Sequence, residues 1–257
     1  MNVGVLLLAV GGACWSAWLE LAARTPNLAT ALPLLLVLAT FVAPLRGARL
    51  QPVAMPPLVL LLLTYAAAVL LAPPLIRIAP AVLAMCYCLH AARHGNAPSS
   101  SFFGLVLLAL PVLPSLEFYA AYPVRRAAIA VSAALLRMNG VAVEVQGLAL
   151  QYGGQLVQFD APCSGVRMLW TCWFLTSALA YLYRWAWGHY SLALLLATCI
   201  AIAGNIVRAT SLFYVEAKLF VVDEAPWLHE AVGIAAFCMT TLALCAALLL
   251  RPRGVRA

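Results

Sequence analysis

A thiol at Cys163, a guanidinium at Arg208 and an imidazole at His229 stand far apart in the chain, yet together they are the parts of an acyl-transfer site. A thiolate attacks a carbonyl carbon, a cation steadies the oxyanion that forms, and an imidazole carries a proton to the leaving group. Each residue also has an ordinary reading. Cys163 can be a small residue at a helix start, Arg208 a side chain reaching toward lipid headgroups, and His229 an interfacial histidine beside Trp227.

The local settings favour chemistry. Cys163 follows Pro162, precedes Ser164-Gly165 and opens a helical segment. A helix N-terminus carries partial positive charge and free N–H groups, which stabilise a thiolate. The N–H groups of Ser164 and Gly165 can hold an oxyanion. Arg208 ends the apolar run Ala201-Ile202-Ala203-Gly204-Asn205-Ile206-Val207, and a cation inside such a run faces the bundle interior by default. Asn205 lies one turn earlier on the same face, where its amide can orient Arg208 or a substrate carbonyl. Arg167, one turn below Cys163, either lowers the thiol pKa, binds a substrate carboxylate, or pairs with Asp160 or Glu230. Asp160, Glu144, Asp223 and Glu224 read as solvated charges.

What positions these groups is a membrane scaffold. The chain has 66% hydrophobic and 9% charged residues, where a soluble domain has roughly 25% charged; its mean hydropathy is +1.01. The seven cysteines other than Cys163 all fall in apolar runs and read as small packing residues without a disulfide framework. The net charge of +7 is thinly spread over fifteen basic residues, which suits anionic lipid headgroups. No polybasic tail or zinc-type cysteine cluster points to nucleic acid. His90, His94 and His189 lack metal-site spacing, and neither metal nor organic cofactor is expected.

Eight apolar segments are expected as spans, at about 3–23, 28–45, 52–73, 75–92, 102–122, 164–184, 190–214 and 230–250, each near the roughly 20 residues a bilayer core requires. The N-terminus lacks a basic n-region and reads as the first span, not as a cleaved signal. Pro111 and Pro114 should kink or end the fifth segment. With eight spans, Arg46, Arg49, Arg93, Arg184, Arg251, Arg253 and Arg256 share one side, against Arg24, Arg77 and Lys218 on the other. The first side, holding both termini, is then cytoplasmic. Cys163, Arg208 (about 9 Å below the end of its span at 1.5 Å per residue) and His229 then meet at the extracytoplasmic face.

The fold expected is therefore an all-α polytopic membrane protein of about eight helices, a single integral membrane domain over 1–257. Residues 123–162 form a small extracytoplasmic insertion. Within it, 123–138 reads as a surface helix with Arg126 and Arg137 opposite Ile129, Val131 and Leu135. A β-hairpin follows, from Val143 to Tyr152 and back over Gln155–Phe159, turning at Gly153-Gly154. It delivers the chain to Cys163.

At these residues the chain resembles the exosortase/archaeosortase family. Ala161-Pro162-Cys163-Ser164-Gly165-Val166-Arg167 matches the family's Cys-Ser-Gly segment at the start of a span. Asn205-Ile206-Val207-Arg208 matches its Asn-x-x-Arg, and His229 with Gly233 its histidine before the last span. Pro162 stands where alanine is more usual. The specific motifs cover about 120–250; for 1–119 the likeness extends only to hydrophobicity and span count. The resemblance implies a cysteine transpeptidase of the inner membrane that sorts exported proteins. Its substrates would carry a C-terminal tail made of a short Pro-Glu-Pro-like motif, a transmembrane helix and a basic cluster. Cys163 would be the nucleophile, and the acceptor an amine or lipid left unspecified.

Two other classes stay open at this level. A small-molecule transporter would use Arg208 and Asn205 as an anion site, although no inverted repeat is visible. A non-enzymatic assembly factor would leave Cys163 idle. An intramembrane protease would share the first half-reaction, with water in place of the acceptor.

Overall fold

The computed structural model describes residues 3–45, 50–95, 97–158, 165–219 and 226–250. Among these, the chain is helical apart from one small sheet. It groups into two compact units: Met1–Val112 with Ser177–Trp187, and Leu113–Thr176 with Gly188–Ala257.

The first unit holds α1 (Val3–Ala13), α2 (Trp15–Arg24), α3 (Leu28–Val42), α4 (Met55–Leu71), α5 (Pro74–His94) and α6 (Ser100–Ala109). The first apolar segment is not one straight span. It bends by 73° between α1 and α2, next to the weak helix formers Gly11 and Gly12. Trp18 Nε1 donates to the Gly11 carbonyl at 2.8 Å, satisfying a backbone group beside the break. α5 is the core of this unit, with two thirds of its apolar stretch buried. Near its end, His90 Nδ1 lies 2.9 Å from the Tyr181 hydroxyl, and Phe102 packs on Phe41 with ring centres 5.4 Å apart.

The prolines act as expected. α6 ends at Ala109, and Leu110 is extended at φ −66°, ψ 160°, the conformation a following proline imposes. The boundary predicted at 122/123 is corrected, because a single helix, α7, runs from Leu113 to Met138 and carries Pro123 inside it.

The second unit contains α7, β1 (Glu144–Gln146), β2 (Ala149–Tyr152), β3 (Gln155–Gln158), α9 (Trp187–Glu216), α10 (Pro226–Leu249) and most of α8 (Val166–Leu182). α7 buries Ile129, Ser132, Ala133 and Leu136, the i, i+3, i+4, i+7 stripe of an amphipathic helix. Val131 and Leu135, expected beside Ile129, are exposed at 43% and 37%, since Val131 lies about 200° round the helix from Ile129. The helix closes with Val141 N–H on Leu136 O and Gly140 N–H on Arg137 O. Gly140 sits there at φ +80°, a conformation that glycine adopts at no steric cost.

The expected hairpin is present and turns at Gly153-Gly154, with Tyr152 opposite Gln155. Its first arm is itself folded. A turn at Gly147-Leu148 pairs Gln146 with Ala149, giving a three-stranded antiparallel meander. Leu150 and Val157 of the sheet join Ile129 and Leu136 of α7 against Ala209 and Phe213 of α9. The sheet is therefore seated on the C-terminal part of α9.

Among the described residues, three helices are long and apolar enough to cross a membrane: α5, α9 and the Trp227–Leu249 stretch of α10. The number is five if the broken pairs α1/α2 and α6/α7 each form one span. Leu28–Val42, Met55–Leu71 and Val166–Leu182 are apolar but shorter. In α9 and α10 only 28% and 22% of the apolar stretch is buried. An apolar helix exposed on most sides needs a lipid solvent. Cys14, Cys86, Cys88 and Cys172 are buried as expected, but Cys199 and Cys238 face outward and do not pack inside the protein.

α9 and α10 approach closely at Gly204. A Cβ there would fall 2.0 Å from the Thr240 hydroxyl oxygen, which donates to Ala236 O within its own helix. Gly204→Ala is expected to destabilise the protein by about 1–3 kcal/mol through overpacking, read as a lower unfolding temperature in detergent. Adding Thr240→Ala should restore most of the loss. A Gly204→Ala protein as stable as wild type would refute this packing.

Candidate active site

Cys163 and Ser164 lie outside the described residues, as do Asp160, Ala161 and Pro162. The site is therefore built from what flanks them. Gly165, two positions after Cys163, has φ +78°, and its carbonyl accepts the first bond of α8 from Leu169 N–H at 2.9 Å. A β-carbon at Gly165 would lie 2.5 Å from Asn205 Cγ and 2.6 Å from its Nδ2. Glycine is thus required twice over, for its backbone angle and for the space the Asn205 side chain occupies. Asn205 is 2% exposed. The start of α8 rests on the Asn-x-x-Arg turn of α9.

Arg208 stands one turn further along α9. Its guanidinium covers Gly233 of α10, where a Cβ would meet Nη2 at 3.3 Å and Nε at 3.4 Å. Gly233 is one turn after His229. Helices α8, α9 and α10 thus bring Gly165, Asn205, Arg208 and Gly233 into a chain of contacts, with His229 at the adjoining turn of α10. Arg208 is half-buried.

His229 has a partner no local spacing announces. Its Nδ1 lies 3.0 Å from Glu216 Oε1. Glu216 is the last residue of α9. The only foretaste in the sequence is an acidic residue at the end of an apolar span whose arginine was already of interest.

Among the described residues, Arg167 has a partner that the sequence did not suggest. Its Nε donates to Glu117 Oε1 of α7 at 2.6 Å. The side chain is 68% exposed, which keeps its stabilising contribution small and leaves the remaining guanidinium donors accessible. The ion pair joins the first turn of α8 to α7. α7 is tied in turn to the chain just before β1, where Arg137 Nε donates to Val143 O at 3.0 Å.

Among the described residues no cluster of three or more histidine, cysteine or acidic side chains is arranged to hold a metal ion. The donors on hand are instead a buried amide, a half-buried guanidinium and an imidazole–carboxylate pair. That set suits binding of a carbonyl oxygen and transfer of a proton.

The Gly165 contact makes a definite prediction. Gly165→Ala is expected to destabilise the protein by about 1–3 kcal/mol from backbone strain alone, with further loss from displacing Asn205. Combining it with Asn205→Ala should recover only the steric part. Full recovery of the unfolding temperature in the double variant would mean that the positive φ carries no cost.

Neither a curated protein nor a solved structure matches the chain. The family model for transmembrane exosortases matches residues 1–246, including every motif segment described above and the described helices up to the last turn of α10. The chain belongs to the transmembrane exosortase family.

Proposed function

We propose that this multi-pass membrane protein is a cysteine transpeptidase that removes the C-terminal sorting tail of exported proteins and passes the shortened chain to an acceptor. The observation that carries the reading is the contact chain from Gly165 through Asn205 and Arg208 to Gly233. It gathers Gly165, two positions after Cys163 in the sequence, and the start of α10, which bears His229, around the turn of α9 that bears Arg208.

The reaction proceeds in two halves. The Cys163 thiolate attacks the scissile carbonyl carbon. Arg208, with the backbone N–H groups of Ser164 and Gly165, stabilises the oxyanion. Asn205 orients the carbonyl. Collapse of the intermediate breaks the C–N bond, His229 protonates the departing amine, and a Cys163 thioester remains. In the second half His229 takes a proton from the incoming amine, which attacks the thioester and releases the thiolate. Water in place of the amine gives hydrolysis.

The topology proposed with this mechanism has eight spans, the shorter apolar helices included, in one membrane-integral domain. Both termini are cytoplasmic and residues 123–162 extracytoplasmic, in the inner membrane. Support comes from α9. Its 30 residues extend about 45 Å at 1.5 Å per residue, more than a bilayer core of about 30 Å. Its polar end is then carried to the membrane–water boundary, where residues just outside a substrate helix arrive. The substrate is an exported protein ending in a Pro-Glu-Pro-like motif, an apolar helix and a basic cluster. Arg167 is available to an acidic side chain of that motif.

Co-expression with a reporter carrying such a tail tests the function. Wild type should remove the tail, and Cys163→Ala should leave it intact. Mass analysis should find the acyl group on Cys163 of the wild type. Tail removal by Cys163→Ala at the wild-type rate would sink the proposal.

For the topology, alkaline phosphatase inserted after Tyr152 should be active in intact cells, and the same reporter fused after Ala257 inactive. The opposite pattern would invert the assignment of sides.

A further inference from the structure

Glu216 has no role in the chemistry just described, and its position is not one that helix stability favours. It occupies the last turn of α9, whose end is set by Lys218 at φ +53°. Lys218 N–H bonds Val215 O, and Leu219 N–H bonds Tyr214 O, both at 3.2 Å. The C-terminal turn of a helix carries partial negative charge, which favours cations and disfavours a carboxylate. The ion pair with His229 is also a poor source of stability, since its side chains are 41% and 34% exposed and such pairs contribute little. What the contact does fix is the imidazole. A carboxylate oxygen 3.0 Å from Nδ1 is at N–H···O hydrogen-bond distance. It selects the tautomer with hydrogen on Nδ1 and leaves Nε2 as the proton acceptor.

We infer that Glu216 is a positioning residue for His229, joining a carboxylate at the end of α9 to the imidazole in the first turn of α10. This rests on the transpeptidase reading. Glu216 accepts the Nδ1–H bond throughout and takes no proton itself. Nε2 receives the proton from the attacking group and returns it to the leaving nitrogen, and the carboxylate stabilises the imidazolium between those two steps. Arg208 lies over Gly233 on the next turn of α10, so the general acid–base and the oxyanion partner sit on adjoining turns of the same helix pair. Orienting groups of this kind recur wherever a base must hold one ring orientation.

The test uses the full-length protein in detergent with a tail peptide containing a Pro-Glu-Pro motif and the following apolar segment. kcat and KM are measured for wild type, Glu216→Ala, Glu216→Gln, Glu216→Asp, His229→Ala and Cys163→Ala. Because a positioned acid–base contributes about 10²–10⁴-fold, loss of its orientation should lower kcat about 10–100-fold in Glu216→Ala. KM should stay within about twofold, and Glu216→Asp should recover part of the loss. Nitrogen-15 NMR of His229 should show one tautomer in wild type and a mixture in Glu216→Ala. Wild-type kcat in Glu216→Ala, or a loss residing entirely in KM, overturns the inference while the transpeptidase reading stands. If Glu216→Ala does not fold, Glu216→Gln decides in the same way, because its shape is kept and its charge is not. If Cys163→Ala cleaves the peptide as fast as wild type, the transpeptidase reading fails and the role of Glu216 fails with it.

Discussion

Close approach of helix backbones is the constraint on which this site depends. In a bilayer, apolar side chains gain little by leaving lipid for one another, so helices associate through tight packing and polar contacts. Glycines 165, 204 and 233 each abut a side chain from a neighbouring helix: Asn205, Thr240 and Arg208 respectively. A methyl group at any of them would meet occupied space. Where the backbone is bare, an amide and a guanidinium are received inside the helix layer without a large cavity. The same residues that permit packing therefore set where polar atoms are held.

The sheet and α7 extend this arrangement. Ile129, Leu136, Leu150 and Val157 close over Phe213 of α9, and Tyr152 meets Phe213 edge-on with ring centres 5.9 Å apart. β3 ends on this platform at Gln158, and Gly165 lies against Asn205 of the same helix α9.

Charges are few, and their placement follows a pattern. Among the described residues, Glu20, Glu117 and Glu216 pair with Arg77, Arg167 and His229. All three pairs are part-exposed, so their value lies in geometry more than in stability. Two of them surround the candidate site. Arg167–Glu117 fixes the first turn of α8 relative to α7, and His229–Glu216 fixes the ring at the start of α10. Polar contacts at the ends of apolar helices do here what a soluble enzyme does with a wider hydrogen-bonded shell.

The apolar runs, the break at Pro111, the turn at Gly153-Gly154 and the motifs around Cys163, Asn205, Arg208 and His229 were all legible in the sequence, because each is a local pattern of composition, backbone restriction or spacing. Local pattern also misled in places. Gly147 marked a second turn that the alternation around it concealed, and the fifth segment was cut at a chain position where α7 runs on through Pro123. Which side chains meet across helices was decided by tertiary structure alone. Arg167 found Glu117, His229 found Glu216, and Gly233 received Arg208. Such pairings depend on the axial register and rotation of packed helices. Those follow from the fit of whole surfaces, for which a single chain read in order carries no periodic signal.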